Sequence, residues 1–168
     1  MALRESKPKQ HSMIRAGGDM RVTKKLIYAI EAVLDIAYNS ADDTVQANDI
    51  AQRQGIPKRY LEQVLQQMVK ANILSGVRGP QGGYRLARER RRIHLAEIYD
   101  IIRALDTTQD PINQTGSQLG DAILKPLWHS LYKDMYDQLK TTTIEDLCRQ
   151  AQIAGIIPSK PNKTDYTI

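Results

Sequence analysis

The sequence has little of what disulfides, thiolate metal sites and membrane spans require. Cys148 is the only cysteine among 168 residues. The chain therefore cannot form an internal disulfide, and a metal site with several thiolates would need other ligands or a second subunit. No apolar run approaches the roughly 18 residues of a membrane span, and the first residues lack the apolar core of a secretion signal. These absences predict a cytoplasmic protein with no membrane partner.

A catalytic signature is also missing. No nucleophile, general base and orienting group occur together in a recognisable motif, and the three histidines do not fall at metal-ligand spacing. An enzyme is therefore not expected. His94 and His129 are interpreted as structural residues.

What the sequence does contain is a concentrated positive charge. The net charge is +5, and the segment from Arg53 to Arg92 has ten basic residues against Glu62 and Glu89. That segment is therefore +8 and the remainder is −3. A phosphate backbone attracts such a segment because binding releases condensed counterions. A well-solvated basic face is the alternative that charge alone leaves open.

Composition divides the chain into four parts. Residues 1–19 are polar and basic without periodicity, which predicts a flexible extension, and Met20 is a plausible natural start. Residues 155–168 contain two prolines among polar residues and predict a loose tail. Between them, we expect a DNA-binding domain over residues 20–92, followed by dimerisation and sensor helices over residues 93–154.

Three helices are predicted in the first half of the domain. Apolar residues at helical spacing indicate a helix from an N-cap at Thr23 to Tyr38, and a second over residues 47–54 that ends at Gly55. Pro57 fits the first turn of a third helix. Its inward stripe is Leu61, Val64, Leu65 and Met68, and its outer side carries Arg59, Glu62, Gln63, Gln66 and Lys70. This arrangement predicts a helix-turn-helix.

The outer face of the third helix has the chemistry of a base reader. Arg59 can donate to guanine, Gln63 can bond adenine, and Glu62 can accept from cytosine. Phosphates would repel Glu62, so a carboxylate on this face makes sense mainly as a base contact. An ordinary amphipathic surface helix is the alternative.

A hairpin follows the third helix. Residues 73–77 and 84–86 read as strands, joined by the turn Arg78-Gly-Pro-Gln-Gly-Gly83. Its glycines allow the backbone to approach a phosphate or groove floor closely, and Arg78 suits a narrow A·T-rich minor groove. A nucleotide-cradling loop is disfavoured because a strand, not a helix, comes next.

The second half is predicted to be helical. A fourth helix carries Leu95 to Leu105, a polar loop runs from Asp106 to about Ser117, and Thr143 caps a short closing helix through Cys148. A long helix lies between, with Pro126 in its first turn or at a kink. Its apolar stripe is Leu124, Leu127, Trp128, Leu131, Met135 and Leu139. Such a stripe is more often a packing seam than a ligand cavity, and its length suggests a two-fold interface between identical chains.

A lone cysteine such as Cys148 is ordinarily a packing residue, and a redox-sensing thiol is the alternative.

Three runs of the sequence carry a specific resemblance. MRVTKKLIYAIEAVLDIA, IAQRQGIPKRYLEQVLQQMVKANIL and RGPQGGYRLAR are similar to the bacterial repressor family that contains IscR, NsrR and CymR. The resemblance extends from Met20 to about Cys148. It implies a mainly α fold with a small β-hairpin wing: a winged helix-turn-helix followed by a long C-terminal dimerisation helix. It also implies a homodimer on a roughly palindromic operator in double-stranded DNA.

The resemblance implies individual roles as well. Glu62 and Gln63 would read bases, Arg78 would enter the minor groove, and Thr23 and Tyr28 would contact phosphates. The full set predicted to contact DNA is Thr23, Tyr28, Lys58, Arg59, Glu62, Gln63, Arg78, Gly79, Gly82, Gly83 and Tyr84. Many family members have a small polar residue where this chain has Arg59, so the preferred operator is expected to differ.

One departure from the family concerns its cofactor. Cluster-binding members carry three cysteines and usually a histidine or another hard ligand in the loop that corresponds to residues 106–125, whereas this segment has no cysteine and no histidine. We therefore expect a clusterless regulator with no cofactor, whose signal is a small molecule, a partner protein or a thiol modification. A protein-interaction module, whose partner controls or replaces DNA binding, is the alternative function.

Overall fold

A computed structural model of the protein describes residues 22–41, 43–107 and 111–159. The predicted extension over residues 1–19 and the tail beyond residue 159 lie outside these ranges. The described chain is mostly helical and contains one two-stranded antiparallel sheet, as the sequence predicted. None of its helices is both long and apolar enough to cross a membrane.

The helix-turn-helix forms as predicted from the sequence. Its helices are α1 (Lys24–Asn39), α2 (Ala47–Gln54) and α3 (Lys58–Lys70). Thr23 caps α1, because its hydroxyl oxygen accepts a hydrogen bond from the backbone N–H of Leu26 at 3.2 Å. Gly55 ends α2 in the left-handed conformation, with φ 64°. Pro57 is the N-cap of α3 rather than a residue of its first turn.

The wing is a hairpin of β1 (Leu74–Val77) and β2 (Gly83–Leu86). The two strands are antiparallel, with Leu74 opposite Leu86. Asn72, at φ 57°, reverses the chain between α3 and β1. Both strands agree with the predicted bounds to within one residue.

The remaining helices are α4 (Leu95–Ala104), α5 (Lys125–Thr141) and α6 (Ile144–Ile153). Thr143 caps α6 in a reciprocal arrangement with Asp146. The closing helix runs on to Ile153 instead of ending at Cys148, because no helix-breaking residue occurs before Gly155. The polar segment before α5 contains a short 3₁₀ turn at Pro111–Gln114.

A π turn over Gly120–Leu124 leads into α5. There the N–H of Lys125 donates to the carbonyl of Gly120, five residues earlier. Pro126, in the first turn of α5, has no N–H to donate, and its ring would collide with the carbonyl four residues earlier in a regular helix. The wider turn relieves this conflict.

The chain divides into two compact units. Of the described residues, 22–41, 43–107 and 134–159 belong to one unit, and residues 111–133 belong to the other. In the larger unit, α1 packs against α3, α4 and α6. Its completely buried side chains include Ile36, Leu65, Ile98 and Ile144, which come from all four helices. The winged helix-turn-helix thus shares its core with helices that the sequence assigned to the segment after residue 92.

The described part of the predicted tail is held against α1. The hydroxyl of Tyr38 donates to the carbonyl of Ile156 at 2.6 Å, and the N–H of Ser159 donates to the Asn39 Oδ1 at 2.7 Å. Residues 155–159 are therefore anchored at the end of α1.

Candidate nucleic-acid interface

The outer face of α3 is exposed along its length. Lys58, Arg59, Glu62 and Gln63 are all exposed, while the inward stripe predicted from the sequence is buried. Glu62 forms no ion pair with any described residue, although Lys58 and Arg59 lie one turn earlier on the same helix. The face therefore presents an acceptor and cationic donors that do not neutralise one another, which is the combination that base edges require.

The basic residues between Arg53 and Arg92 fall into two groups, those that form ion pairs and those that do not. Arg53, Arg88, Arg90 and Arg91 form ion pairs with Asp35, Glu97, Glu145 and Glu89 respectively. Six others form no ion pair within the described ranges, although Arg92 is close enough to Glu89 to help lower the pKa of that carboxyl: Lys58, Arg59, Lys70, Arg78, Arg85 and Arg92. The uncompensated charge is thus carried mainly by α3 and the wing, and only this charge can attract a polyanion at close range.

A buried carboxylate lies beneath the helix-turn-helix. Asp35, in α1, accepts hydrogen bonds from Arg53 Nε at 2.9 Å, Arg53 Nη2 at 2.7 Å and Gln54 Nε2 at 2.7 Å. The hydrogen bond to Asp35 raises the pKa of the Arg53 guanidinium. These contacts fasten the end of α2, and the turn that leads to α3, to α1.

Two tyrosines and an arginine meet at the start of α3. The Arg59 guanidinium lies 4.7 Å from the centre of the Tyr60 ring, and its Nη2 donates to the Tyr60 hydroxyl at 2.9 Å. The Tyr60 ring contacts that of Tyr28 in α1, with centroids 6.2 Å apart. Tyr28 is half-buried, and its hydroxyl has no partner among the residues described. Thr23, in contrast, already uses its hydroxyl oxygen in capping α1.

The wing is tied to the connection between α1 and α2. Val45 pairs with Tyr84 through two backbone hydrogen bonds of 2.9 and 2.8 Å. The Thr44 hydroxyl donates to the carbonyl of Gln81 at 2.9 Å, in the turn of the hairpin. Arg78 lies at the start of that turn, is exposed, and has no partner in the part of the chain described. The hairpin therefore presents an unpaired arginine, and its strands are held in place by hydrogen bonds to the connection between α1 and α2.

The wing glycines have different physical roles. A Cβ at Gly83 would lie 2.5 Å from the carbonyl oxygen of Val45, and one at Gly82 would lie 2.3 Å from that of Val77. These two glycines are therefore needed by the packing of the wing itself. At Gly79, where φ is 116°, a Cβ would meet no atom within 4 Å, so the tip is left open. Tyr84 is half-buried, so its contribution to an interface is limited to the exposed part.

The apolar stripe of α5 is exposed. Leu124, Leu127, Trp128 and Leu131 have 46%, 50%, 39% and 42% of their surface accessible, and Met135 and Leu139 are half-buried. Leu119 and Ile123, just before α5, are 75% and 60% exposed. Several exposed apolar side chains at the spacing of one helix face are typical of a protein-protein contact.

The residues present do not fit an iron-sulfur cluster. The segment 106–125 offers no thiolate or imidazole, and its Asp121 is engaged by the Thr115 hydroxyl and the Lys125 ammonium, which hold the pKa of that carboxyl below its usual range. Within the ranges the structure covers, no three His, Cys, Asp or Glu side chains form a metal-binding group.

The single thiol is enclosed. Cys148 is 1% exposed, and burial raises the pKa of its thiol, an effect that the neighbouring Arg90 guanidinium partly offsets. The thiolate is the form that reacts with oxidants. This environment favours the packing role of Cys148 over the sensing role.

The sequence did not reveal every residue that shapes this surface. Tyr60, Thr44 and Val45 were missed because their roles depend on contacts between elements. Asp35 offered a signal, since a carboxylate beside Ile36 on the buried side of a helix is rare without a partner.

Comparisons with known proteins identify the family and the fold. The model of the Rrf2 family, described as iron-dependent transcriptional regulators, matches residues 22–150. The regulator IscR of Xenorhabdus nematophila is 37% identical over 82% of this chain and 84% of its own, and IscR of Escherichia coli O1:K1 is 41% identical over 71% and 72%. The solved structure of T. potens IscR matches with a TM-score of 0.67 and 29% identity, covering 83% of this chain and 94% of the other. B. subtilis CymR, with a TM-score of 0.63 and 21% identity over 78% and 98%, shares the fold.

Proposed function

Since this chain belongs to the Rrf2 family of bacterial transcription regulators, we propose that it is a cytoplasmic, sequence-specific repressor that acts as a homodimer without an iron-sulfur cluster. The observation that carries the proposal is the exposed surface of α3 and the wing. It combines free cations with the unpaired carboxylate of Glu62. Cations alone would bind any polyanion, whereas a carboxylate among them would repel phosphates and is best explained by a contact with a base donor such as the cytosine amino group.

The contacts divide into two classes. Glu62 and Gln63, one turn into α3, read base edges in the major groove, and Arg78 at the tip of the wing enters the minor groove. Lys58 and Tyr28 contact phosphates and set the register of the protein on the duplex. Gly79 lets the tip approach DNA, while Gly82, Gly83 and Tyr84 chiefly maintain the shape of the wing.

The apolar surface of α5 supports the homodimer. Its four exposed side chains, Leu124, Leu127, Trp128 and Leu131, repeat at the spacing of one helix face. A second copy of the same helix offers a matching surface, and a two-fold arrangement places two α3 helices on a roughly palindromic operator.

The side chains of residues 106–125 that could bind a metal support a regulator without an iron-sulfur cluster. Residues 106–125 supply no soft ligand, so the family description as iron-dependent is not expected to extend to this chain. The regulatory signal is then a small molecule or a partner protein, because Cys148 is enclosed.

Selection of bound duplexes from a random DNA pool tests the proposed function. We expect the wild-type protein to enrich a palindrome, and Glu62→Ala to relax base choice at one position of each half-site while retaining most of the affinity. Asp49→Ala, which removes an exposed carboxylate from α2, is the control and should leave the motif unchanged.

A protein-interaction module would enrich no motif and would be indifferent to both Glu62→Ala and Arg78→Ala. The clusterless proposal has its own measurement. Purified protein should be colourless and free of iron and acid-labile sulfide, and brown protein with stoichiometric iron would contradict it.

A further inference from the structure

The cluster of Arg59, Tyr60 and Tyr28 at the start of α3 does more than pack. Arg59 is exposed and has no acidic partner within the described residues, yet it is held by both the ring and the hydroxyl of Tyr60. Tyr60 is itself half-buried and rests against Tyr28 of α1. Lys58, the preceding residue, has no such support.

The position of Glu62 makes this support significant. Arg59 and Glu62 are three residues apart on one helix, a spacing at which arginine and glutamate commonly pair. Such a pair would neutralise the donor and the acceptor that the reading face needs. In the structure the guanidinium is directed to Tyr60 instead, and Glu62 remains unpaired.

We propose that Tyr60 is a positioning residue that keeps Arg59 away from Glu62 and holds it for a bidentate contact with a guanine in each half-site. The proposal rests on the proposed function and deepens it. A guanidinium has five N–H donors in a rigid fork. One hydrogen bond to the Tyr60 hydroxyl therefore leaves enough donors for the O6 and N7 acceptors of guanine.

A base is favoured over a phosphate as the partner of Arg59. Arg59, Glu62 and Gln63 share one helix face because they are three and four residues apart. A carboxylate on that face repels phosphates, so the groups beside it are best placed against base edges. The face then presents a guanine reader and a cytosine reader as separate groups, which predicts that G and C are selected at different positions of the half-site.

The test compares four variants in the same DNA selection, followed by competition binding on single-base operator variants. Arg59→Ser should abolish the preference for guanine at one symmetric position, a change of about tenfold or more. Tyr60→Leu should weaken that preference while leaving the other positions unchanged. Tyr60→Phe, which retains the ring and loses the hydroxyl, should keep part of it. Arg59→Lys should weaken it, because an ammonium lacks the planar fork that the Tyr60 ring and hydroxyl hold in place.

A double-mutant comparison isolates the positioning role. In an Arg59→Ser background, Tyr60→Phe should no longer alter base preference, since the residue through which it acts is gone. This comparison remains informative even if Tyr60→Leu does not fold.

The outcomes separate this inference from the proposed function. A wild-type protein that enriches no sequence would refute the proposed function itself. If a motif is enriched but Arg59→Ser leaves its guanine preference unchanged, only the inference about Arg59 and Tyr60 is refuted. If both Tyr60 variants lower affinity equally for every operator, Tyr60 is purely structural and the inference is also wrong.

Discussion

Two exposed surfaces of the molecule differ in almost every physical property. The surface of α3 and the wing is polar, and its cations and the carboxylate of Glu62 form no ion pairs with described residues. The surface of α5 is apolar, with Trp128 and three leucines between 39% and 50% accessible. Hydrogen bonds to neighbouring elements hold α3 and the wing in position. The apolar side chains of α5, in contrast, would be stabilised only by burial.

The difference indicates what each surface binds. Charged groups that stay hydrated and unpaired suit a polyanion whose own counterions are released on binding. Leucine and tryptophan side chains gain free energy only when water is excluded from them, which suits a second protein chain. One surface is therefore expected to respond to salt, and the other to substitutions that add charge.

Removing the buried carboxylate of Asp35, which joins the end of α2 to α1, should have the largest effect on stability. Asp35→Ala leaves Arg53 and Gln54 without their acceptor, and we expect the free energy of unfolding to fall by about 3 kcal/mol. Chemical denaturation measures this change. Asp49→Ala removes an exposed acid from α2 and should cost less than about 1 kcal/mol. Equal effects of the two substitutions would show that the buried ion pair does not stabilise the helix-turn-helix.

A charged side chain introduced into the apolar surface of α5 should show that this surface and α3 have different functions. Trp128→Asp is expected to prevent the proposed homodimer from forming and to weaken binding to a palindromic site by about 100-fold, because simultaneous contact with both half-sites would be lost. Sedimentation and titration against whole and half operators measure both effects. His129→Asp, at an exposed position on the opposite side of α5, should alter neither. A Trp128→Asp protein that stays dimeric would assign the interface to other residues.

The smallest effect should come from glycine substitutions in the wing. They distinguish a glycine that the packing of the wing requires from one that lets the wing approach DNA closely. A methyl group at Gly83 would collide with the carbonyl of Val45, so Gly83→Ala should destabilise the hairpin by about 1–3 kcal/mol. At Gly76 the nearest atom to a Cβ is 3.9 Å away, and Gly76→Ala should be nearly neutral. Hydrogen exchange of the wing amides reports the difference. If Gly83→Ala weakens DNA binding with full protection of the wing, the glycine is needed for DNA approach instead.

The sequence predicted most of the fold because its signals are local. Helical periodicity, the cap at Thr23 and the turn at Gly55 each depend on residues within one or two turns, and all three are found in the structure. The extension of the last helix to Ile153 was missed because nothing after Cys148 marks its end before Gly155. The exposed face of α3 was predicted for the same local reason.

The parts of the site that could not be predicted depend on contacts between distant residues. The pairing of Val45 with Tyr84 joins a loop to the wing, and the contact of Tyr28 with Tyr60 joins two helices. The separation of neutralised from free arginines also required the fold, since Arg88 and Arg85 look alike in a sequence but only Arg88 meets a carboxylate within the described ranges. Charge counted along the chain therefore overestimated the charge available to DNA.

Salt dependence of operator affinity tests the central account most directly. If paired protomers place the free cations of α3 and the wing against phosphates, the logarithm of affinity should fall linearly with the logarithm of salt concentration, with a slope of about −5 or steeper. Lys58→Ala should reduce that slope by about 2 per dimer, since each protomer loses one phosphate contact. An affinity that is the same at low and high salt, or that does not distinguish the selected operator from random DNA, would contradict the account.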